Sequence, residues 1–226
     1  MDLPELPPEL LYSSPEEKEA VEKLCLQLGR VNYHWNVLHG TLQLIFIMLV
    51  NHRDGDYFLA SPGMDLWQAQ KSDDGQRSLL KLFAKSYLKE DQELWNALVW
   101  VLDEVGKLST YRNDATHAIF FFAEETSKAI KVNPLLTAFS RANRLRATGH
   151  NDLFTCLVYD LFALDHYATK IMGILLAPIA RDHPNASLQR RPKLLSAQLV
   201  EIRPPENPSR PGQTEEPPDP QPSSPA

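Results

Sequence analysis

The feature that most constrains this chain is a spacing. Leu24, Leu28, Val31, Trp35, Leu38, Leu42 and Ile45 recur at intervals of three and four residues, which puts them on one side of an α-helix and on no single face of a strand. One helix from about residue 15 to 50 therefore carries a continuous apolar stripe that other elements must cover. Its start is marked by Ser14-Pro15-Glu16-Glu17, a capping serine, a proline at the first helical position and a glutamate at the third. Gly29 and Gly40 are points at which it can bend.

Residues 51 to 78 hold Gly55, Pro62, Gly63 and Gly75 among scattered acids, which reads as a long connection with one short helical turn around Trp67. Helical spacing returns at Leu79, Leu80, Phe83 and Leu88, and again at Leu94, Leu98, Val101, Leu102 and Val105. Ser109 to Asp114 reads as a break. A further helix is expected from Asn113 or Asp114, carrying Ala118, Ile119, Phe122 and Ala123 toward the core. Asn133-Pro134 then looks like the cap and first turn of a short helix reaching about Ala147, with Gly149 as its stop. A last long helix from Asn151 or Asp152 holds Phe154, Leu157, Val158, Leu161, Leu164, Ala168, Ile171 and Leu175, and ends before Pro178.

No convincing strand pair or internal repeat is visible. The expected fold is all-α, an antiparallel bundle of about four to six helices spanning residues 1–178. Residues 179–202 are read as a docking or linker segment through Leu194, Leu195, Leu199 and Val200. Nine of the 24 residues from Arg203 to Ala226 are proline, so residues 203–226 are expected to be a disordered tail, too poor in apolar side chains to offset the entropy of ordering.

Composition removes several function classes. The longest apolar run, Leu44 to Val50, is far too short to cross a bilayer, and the N-terminus is acidic before its first apolar stretch. No membrane partner and no signal peptide are expected, and the expected location is the cytoplasm. The two cysteines, Cys25 and Cys156, read as core residues in a reducing compartment rather than a disulfide or zinc framework. A formal charge of −6 disfavours passive attraction to nucleic acid over the whole surface, so any such contact must be local. No Glu-x-x-His or His-x-x-x-His spacing occurs, and neither a metal nor another cofactor is expected.

The chemistry concentrates in Tyr111-Arg112-Asn113-Asp114-Ala115-Thr116-His117. Read as an arginine in an interhelical break, a capping pair and a histidine in the next helix's first turn, it sets an anion-favouring helix N-terminus beside a guanidinium fork and a group that titrates near neutrality. That combination suits a phosphate-directed acid–base site. The other reading is a helix-capping arginine and a half-buried histidine bonded to a carbonyl.

Arg112-Asn113-x-x-x-His117 resembles the motif of the HEPN superfamily, small α-helical bundles many of which are RNases in toxin–antitoxin, phage-defence and RNA-processing systems. The resemblance implies that Arg112 and His117 are the catalytic pair, that Asn113 supports them, and that two copies of the segment face each other in a homodimer. The motif covers six residues, and the compatible helical order covers residues 14 to 177. Arg144 and His150 meet the loosest form of the same spacing, but Leu145 stands where Asn113 gives the polar residue. His117-Ala118-Ile119 lacks the tyrosine through which some members are silenced by nucleotidylation.

Between Glu125 and Asp152 no acid occurs, while Lys128, Lys131, Arg141, Arg144 and Arg146 all fall there. This patch either tracks an RNA backbone or is a solvated face with cations at helix ends. Asn32, Asn36, His39 and Gln43 form a polar stripe on the first long helix, and Asp152, Tyr159 and His166 form another on the last. Polar interhelical bonds or exposure is the preferred reading of both. Trp35, Trp95 and Trp100 are assigned to the core and Glu104 and Lys107 to a surface pair, with a supporting role for Asp103 or Glu104 near the site left open.

Three functions fit these readings. The first is a metal-independent endoribonuclease of HEPN type, with RNA as substrate, a second copy as partner and an antitoxin or other protein as inhibitor. The second is a non-catalytic HEPN-like module that binds nucleotide, RNA or protein. The third is a helical interaction protein with a recruiting tail.

Overall fold

The computed structural model describes residues 14–51, 62–117, 120–126, 129–134, 150–176, 188 and 190–196. The described elements are α1 (Pro15–Asn51), α2 (Pro62–Ala69), α3 (Asp73–Tyr87), α4 (Gln92–His117), a hairpin of β1 (Phe120–Thr126) and β2 (Ala129–Pro134), and α5 (His150–Leu176). Five helices build the core, and the fold class is all-α. The proline-rich residues 203–226 lie outside the described residues.

α1, α3 and α4 each start where a side chain can take up free N–H groups. Ser14 Oγ accepts from the Glu17 amide at 3.1 Å, Ser72 Oγ from Gly75 at 3.1 Å, and Asp91 Oδ1 from Leu94 at 2.9 Å. The stripe of α1 is buried from Leu24 through Leu49, and it meets Leu153, Phe154, Leu157, Leu161, Leu164, Ala168 and Ile171 of α5 in one continuous core. Thr41 Oγ1 donates to Asp165 Oδ1 at 2.6 Å across that seam. On its outer side Tyr33, Val37, Tyr159 and Phe162 remain exposed. α4 runs antiparallel to α3, where Lys81 reaches Asp103 at 3.1 Å. It also runs antiparallel to α5, where Trp100 packs on Tyr167 and Phe120, just beyond α4, packs on Phe154.

The structure departs from the sequence reading at four places. α3 begins at Asp73 rather than near Leu79. Gly75, taken for a loop glycine, lies in its first turn, where a Cβ would come within 3.0 Å of Gln70 Oε1 and 3.2 Å of the capping Ser72 Oγ. α4 passes unbroken through Ser109 to Asp114. Buried Leu108 and Ala115 extend the stripe of Val101 and Val105, and the hydroxyls of Ser109 and Thr116 donate back to the carbonyls of Gly106 and Arg112 instead of competing with the helix.

The third departure is the hairpin, in place of the helix expected from Asn113 or Asp114 and of the cap expected at Asn133-Pro134. Phe120 lies opposite Pro134, Phe121 opposite Asn133 and Phe122 opposite Val132. Three consecutive phenylalanines in β1, paired with a strand that holds Ile130 and Val132, give the aromatic and β-branched content that strands favour, and Pro134, lacking an N–H, stands at the strand's end. The expected stretch from residue 135 to 147 lies outside the described residues. The fourth is Cys25, which is exposed, one position round the helix from buried Leu24, while Cys156 is half-buried. Burial, then Asp160 and Asp152, push the Cys156 thiol above its ordinary range.

Residues 188 and 190–196 lie against the bundle. Leu188 and Leu194 pack on the core, Arg191 lies over the Trp100 ring at 5.5 Å, and Arg191 Nη2 donates to the Asn96 carbonyl at 3.3 Å. The anchor is Asp160 of α5, 1% exposed. Its oxygens accept from the amides of Leu195 at 2.7 Å and Ser196 at 2.8 Å, and from the Ser196 hydroxyl. Charge-assisted bonds of this kind are the stronger ones, and removing the acceptor orphans buried donors. Asp160→Ala should therefore cost about 2–4 kcal/mol in urea unfolding and speed hydrogen exchange at the Leu195 and Ser196 amides. A change below about 0.5 kcal/mol, the usual effect of a neutral surface substitution, would show that the segment is not held through Asp160.

Candidate functional site

Arg112, Asn113 and His117 occupy the last two turns of α4, not an interhelical break and the start of a new helix. This reverses the local electrostatics expected from sequence. A helix C-terminus presents carbonyls and the negative end of its dipole, which favours a cationic side chain and offers no free N–H groups to an anion. Any anion here must be held by side chains.

Arg112 is half-buried. Its guanidinium lies over the Trp35 ring at 5.5 Å, a cation–π placement, and its Nη1 donates to Asn113 Oδ1 at 3.2 Å. His117 is exposed. Five residues on, it projects about 140° round the helix from Arg112, so within one chain the motif does not bring its arginine and histidine together.

The structure instead groups other side chains around Arg112. Trp35 and His39 are one turn apart on α1, with ring centroids at 4.7 Å and planes inclined by 33°. Asp73, Gln76 and Arg77 sit at the start of α3, spaced to share a face. Trp35 Nε1 donates to Asp73 Oδ2 at 3.2 Å. Arg77 is only 8% exposed, and its Nη2 donates to Asp74 Oδ1 at 3.1 Å, a carboxylate that is itself 86% exposed. Gly106 of α4 faces Arg77, leaving 4.0 Å between a notional Cβ and Arg77 Nε.

Three buried nitrogens in this group have no hydrogen-bond partner: His39 Nε2, Arg77 Nη1 and Arg112 Nε. Burial draws the His39 pKa below its ordinary value, the charges of Arg77 and Arg112 act in the same direction, and Asp73 and Gln76 oppose it. His39 is therefore a neutral imidazole at physiological pH.

The sequence pattern groups His39 with Asn32, Asn36 and Gln43 in a stripe of polar interhelical or exposed positions, and places Asp73 and Arg77 in the connection of residues 51 to 78. The signal for them was Ser72 as a cap followed by Asp73, Gln76 and Arg77, legible only once α3 is known to begin there. The other sequence candidates lie elsewhere. Asp103 pairs with Lys81 and Glu104 with Lys107 at 2.6 Å, so neither joins Arg112. Asp152, Tyr159 and His166 are exposed. Lys131 lies in β2 opposite Ala123, while Lys128, Arg141, Arg144 and Arg146 lie outside the described residues, and His150 opens α5.

Among the described residues no three His, Cys, Asp or Glu side chains are grouped so as to hold a metal ion, and no helix is long and apolar enough to cross a membrane. A separate open cleft lined by Glu93, Asn96, Tyr167 and Arg190 lies between α4, α5 and the C-terminal segment. No family model matches this chain, and neither does any curated protein or solved structure.

The depressed His39 pKa has a consequence for stability. Because the unfolded chain takes up this proton at a higher pH than the folded one, the contribution is complete above about pH 6.5 and is lost as pH falls through the folded value. His39→Gln should flatten that limb of a stability–pH curve measured by urea unfolding between pH 4 and 8. An unchanged acid limb in the variant would assign the dependence to other groups.

Proposed function

We propose that this chain is a metal-independent endoribonuclease of HEPN type, working as a homodimer. The observation that carries the reading is the state of the motif's two charged-capable side chains. Arg112 is braced on Trp35 with a buried N–H left open, while His117 stands exposed at the end of the same helix. A braced guanidinium can stabilise charge on a phosphate, and an exposed imidazole can reach a substrate proton. Their divergence round the helix is what a paired site requires, with His117 of one copy completing the Arg112 site of the other.

RNA supplies the nucleophile. His117 takes the proton of the 2′-hydroxyl, the 2′-oxygen attacks the adjacent phosphorus, and the 5′-oxygen leaves with a proton from the second copy's acid. Arg112 faces the charge that develops on the phosphate oxygens. Such an enzyme serves as a toxin with an antitoxin, in phage defence or in RNA processing.

A second reading, a non-catalytic module that binds nucleotide or RNA, is favoured by one specific observation: Arg112 lies over Trp35 and its charge acts on His39 of its own chain, while His117 projects elsewhere round the helix. The two readings separate in a cleavage assay. The first requires 2′,3′-cyclic phosphate and 5′-hydroxyl ends, activity that persists in EDTA, and no cleavage of RNA methylated on the 2′ oxygen. His117→Ala and Arg112→Ala should each lower the rate by roughly 10²-fold or more with circular dichroism and sedimentation unchanged. Products bearing 5′-phosphate, or loss of activity on chelation, would exclude this mechanism. RNA bound but left intact would establish the second reading.

A further inference from the structure

We propose that His39, Arg77 and Arg112 form a binding site for a phosphate group, seated between α1, α3 and α4. Nothing in the six-residue motif points to His39 or Arg77, and the site needs no cleavage chemistry. It shares only Arg112 with the proposed nuclease site.

The argument starts from unmet hydrogen bonds. Folded proteins pair nearly all buried polar groups, because each orphan keeps its desolvation cost without compensation. Here three helices each bring one buried, unpartnered nitrogen, the charges of Arg77 and Arg112 both act on His39, and two of the three nitrogens belong to fixed cations. The two carboxylates at the start of α3 do not account for them. Asp73 accepts from the Trp35 indole, the ion pair of Arg77 runs through Nη2 to solvent-exposed Asp74 and leaves Nη1 open, and Arg112 Nη1 spends its bond on neutral Asn113.

Trp35 makes the arrangement rigid. Its ring carries His39 on one contact and the Arg112 guanidinium on another, and its N–H ties the start of α3, hence Arg77, to the same place. His39 and Arg112 are half-buried, and Arg77 is buried. Donors arriving from three helices match the tetrahedral oxygens of a phosphate better than the planar pair of a carboxylate, and guanidinium is the group best suited to charge-assisted bonds with phosphate oxygens. His39, whose ring also bonds Gln76, presents Nε2 to the same phosphate.

The test is calorimetric titration and thermal melting of the full chain, at fixed ionic strength, with inorganic phosphate, adenosine 5′-monophosphate and a dinucleoside monophosphate. Saturable binding of the dinucleoside monophosphate assigns the site to an RNA backbone. Binding of the first two alone assigns it to free phosphate or a nucleotide, and either result supports the proposal. Arg77→Met keeps the buried stem and removes the guanidinium with its open Nη1, so it should melt no lower than the wild type while binding phosphate roughly tenfold to hundredfold more weakly. His39→Gln provides a second, milder loss should Arg77→Met fail to fold. No saturable binding of any of the three probes to the wild type, or undiminished binding by a folded Arg77→Met, overturns the proposal. His117→Ala keeps the two ideas apart: it should abolish cleavage and leave phosphate binding intact, whereas cleavage without phosphate binding would sink this site and spare the nuclease.

Discussion

The burial of one face of α1 is the constraint on which the rest of the molecule depends. A helix of 37 residues with an apolar stripe along most of its length cannot stand alone in water, and α5 supplies the longest matching stripe in the chain. Packing the two against each other removes Val31, Leu38, Leu42, Ile45 and Phe46 from solvent together with Leu153, Leu157, Leu161 and Leu164, each worth about 1.5–3 kcal/mol. α3 and α4 then close the remaining side of α1. Trp35 lies in that stripe, and it brings a polar atom into the core. A buried indole needs an acceptor for its N–H, and Asp73 provides it, so the start of α3 is fixed against the middle of α1.

The polar cluster follows from that attachment. Once Asp73 is held, helical periodicity brings Gln76 and Arg77 to the same face, next to His39, and α4 contributes Arg112 over the Trp35 ring. Buried cationic groups with open N–H groups are a cost that an apolar replacement would relieve. A second buried polar device, Asp160, has all its visible acceptor capacity directed at Leu195 and Ser196, and it fastens the C-terminal segment to α5. One cluster is satisfied within the chain and the other is not, and that contrast separates an anchor from a site.

The sequence by itself determined the helices whose apolar spacing is long and regular. The stripe from Leu24 to Ile45, the cap at Ser14, and the run from Phe154 to Ile171 can each be read from residue types alone, because a 3.6-residue period leaves a pattern that local chemistry dictates. It also singled out Arg112 and Asn113, which are neighbours in the chain and hydrogen-bonded in space. It did not determine what happens where local signals conflict. Ser109 to Asp114 carries residues that favour turns, yet tertiary burial of Leu108 and Ala115 continues α4 through them. Phe120 to Ala123 fits either period, and pairing with β2 makes it a strand. Only the tertiary structure decided which side chains meet Arg112. His117 is five residues away and turns aside, while His39 and Arg77, 73 and 35 positions earlier, are brought to it because Trp35 must be buried and its N–H must find an acceptor.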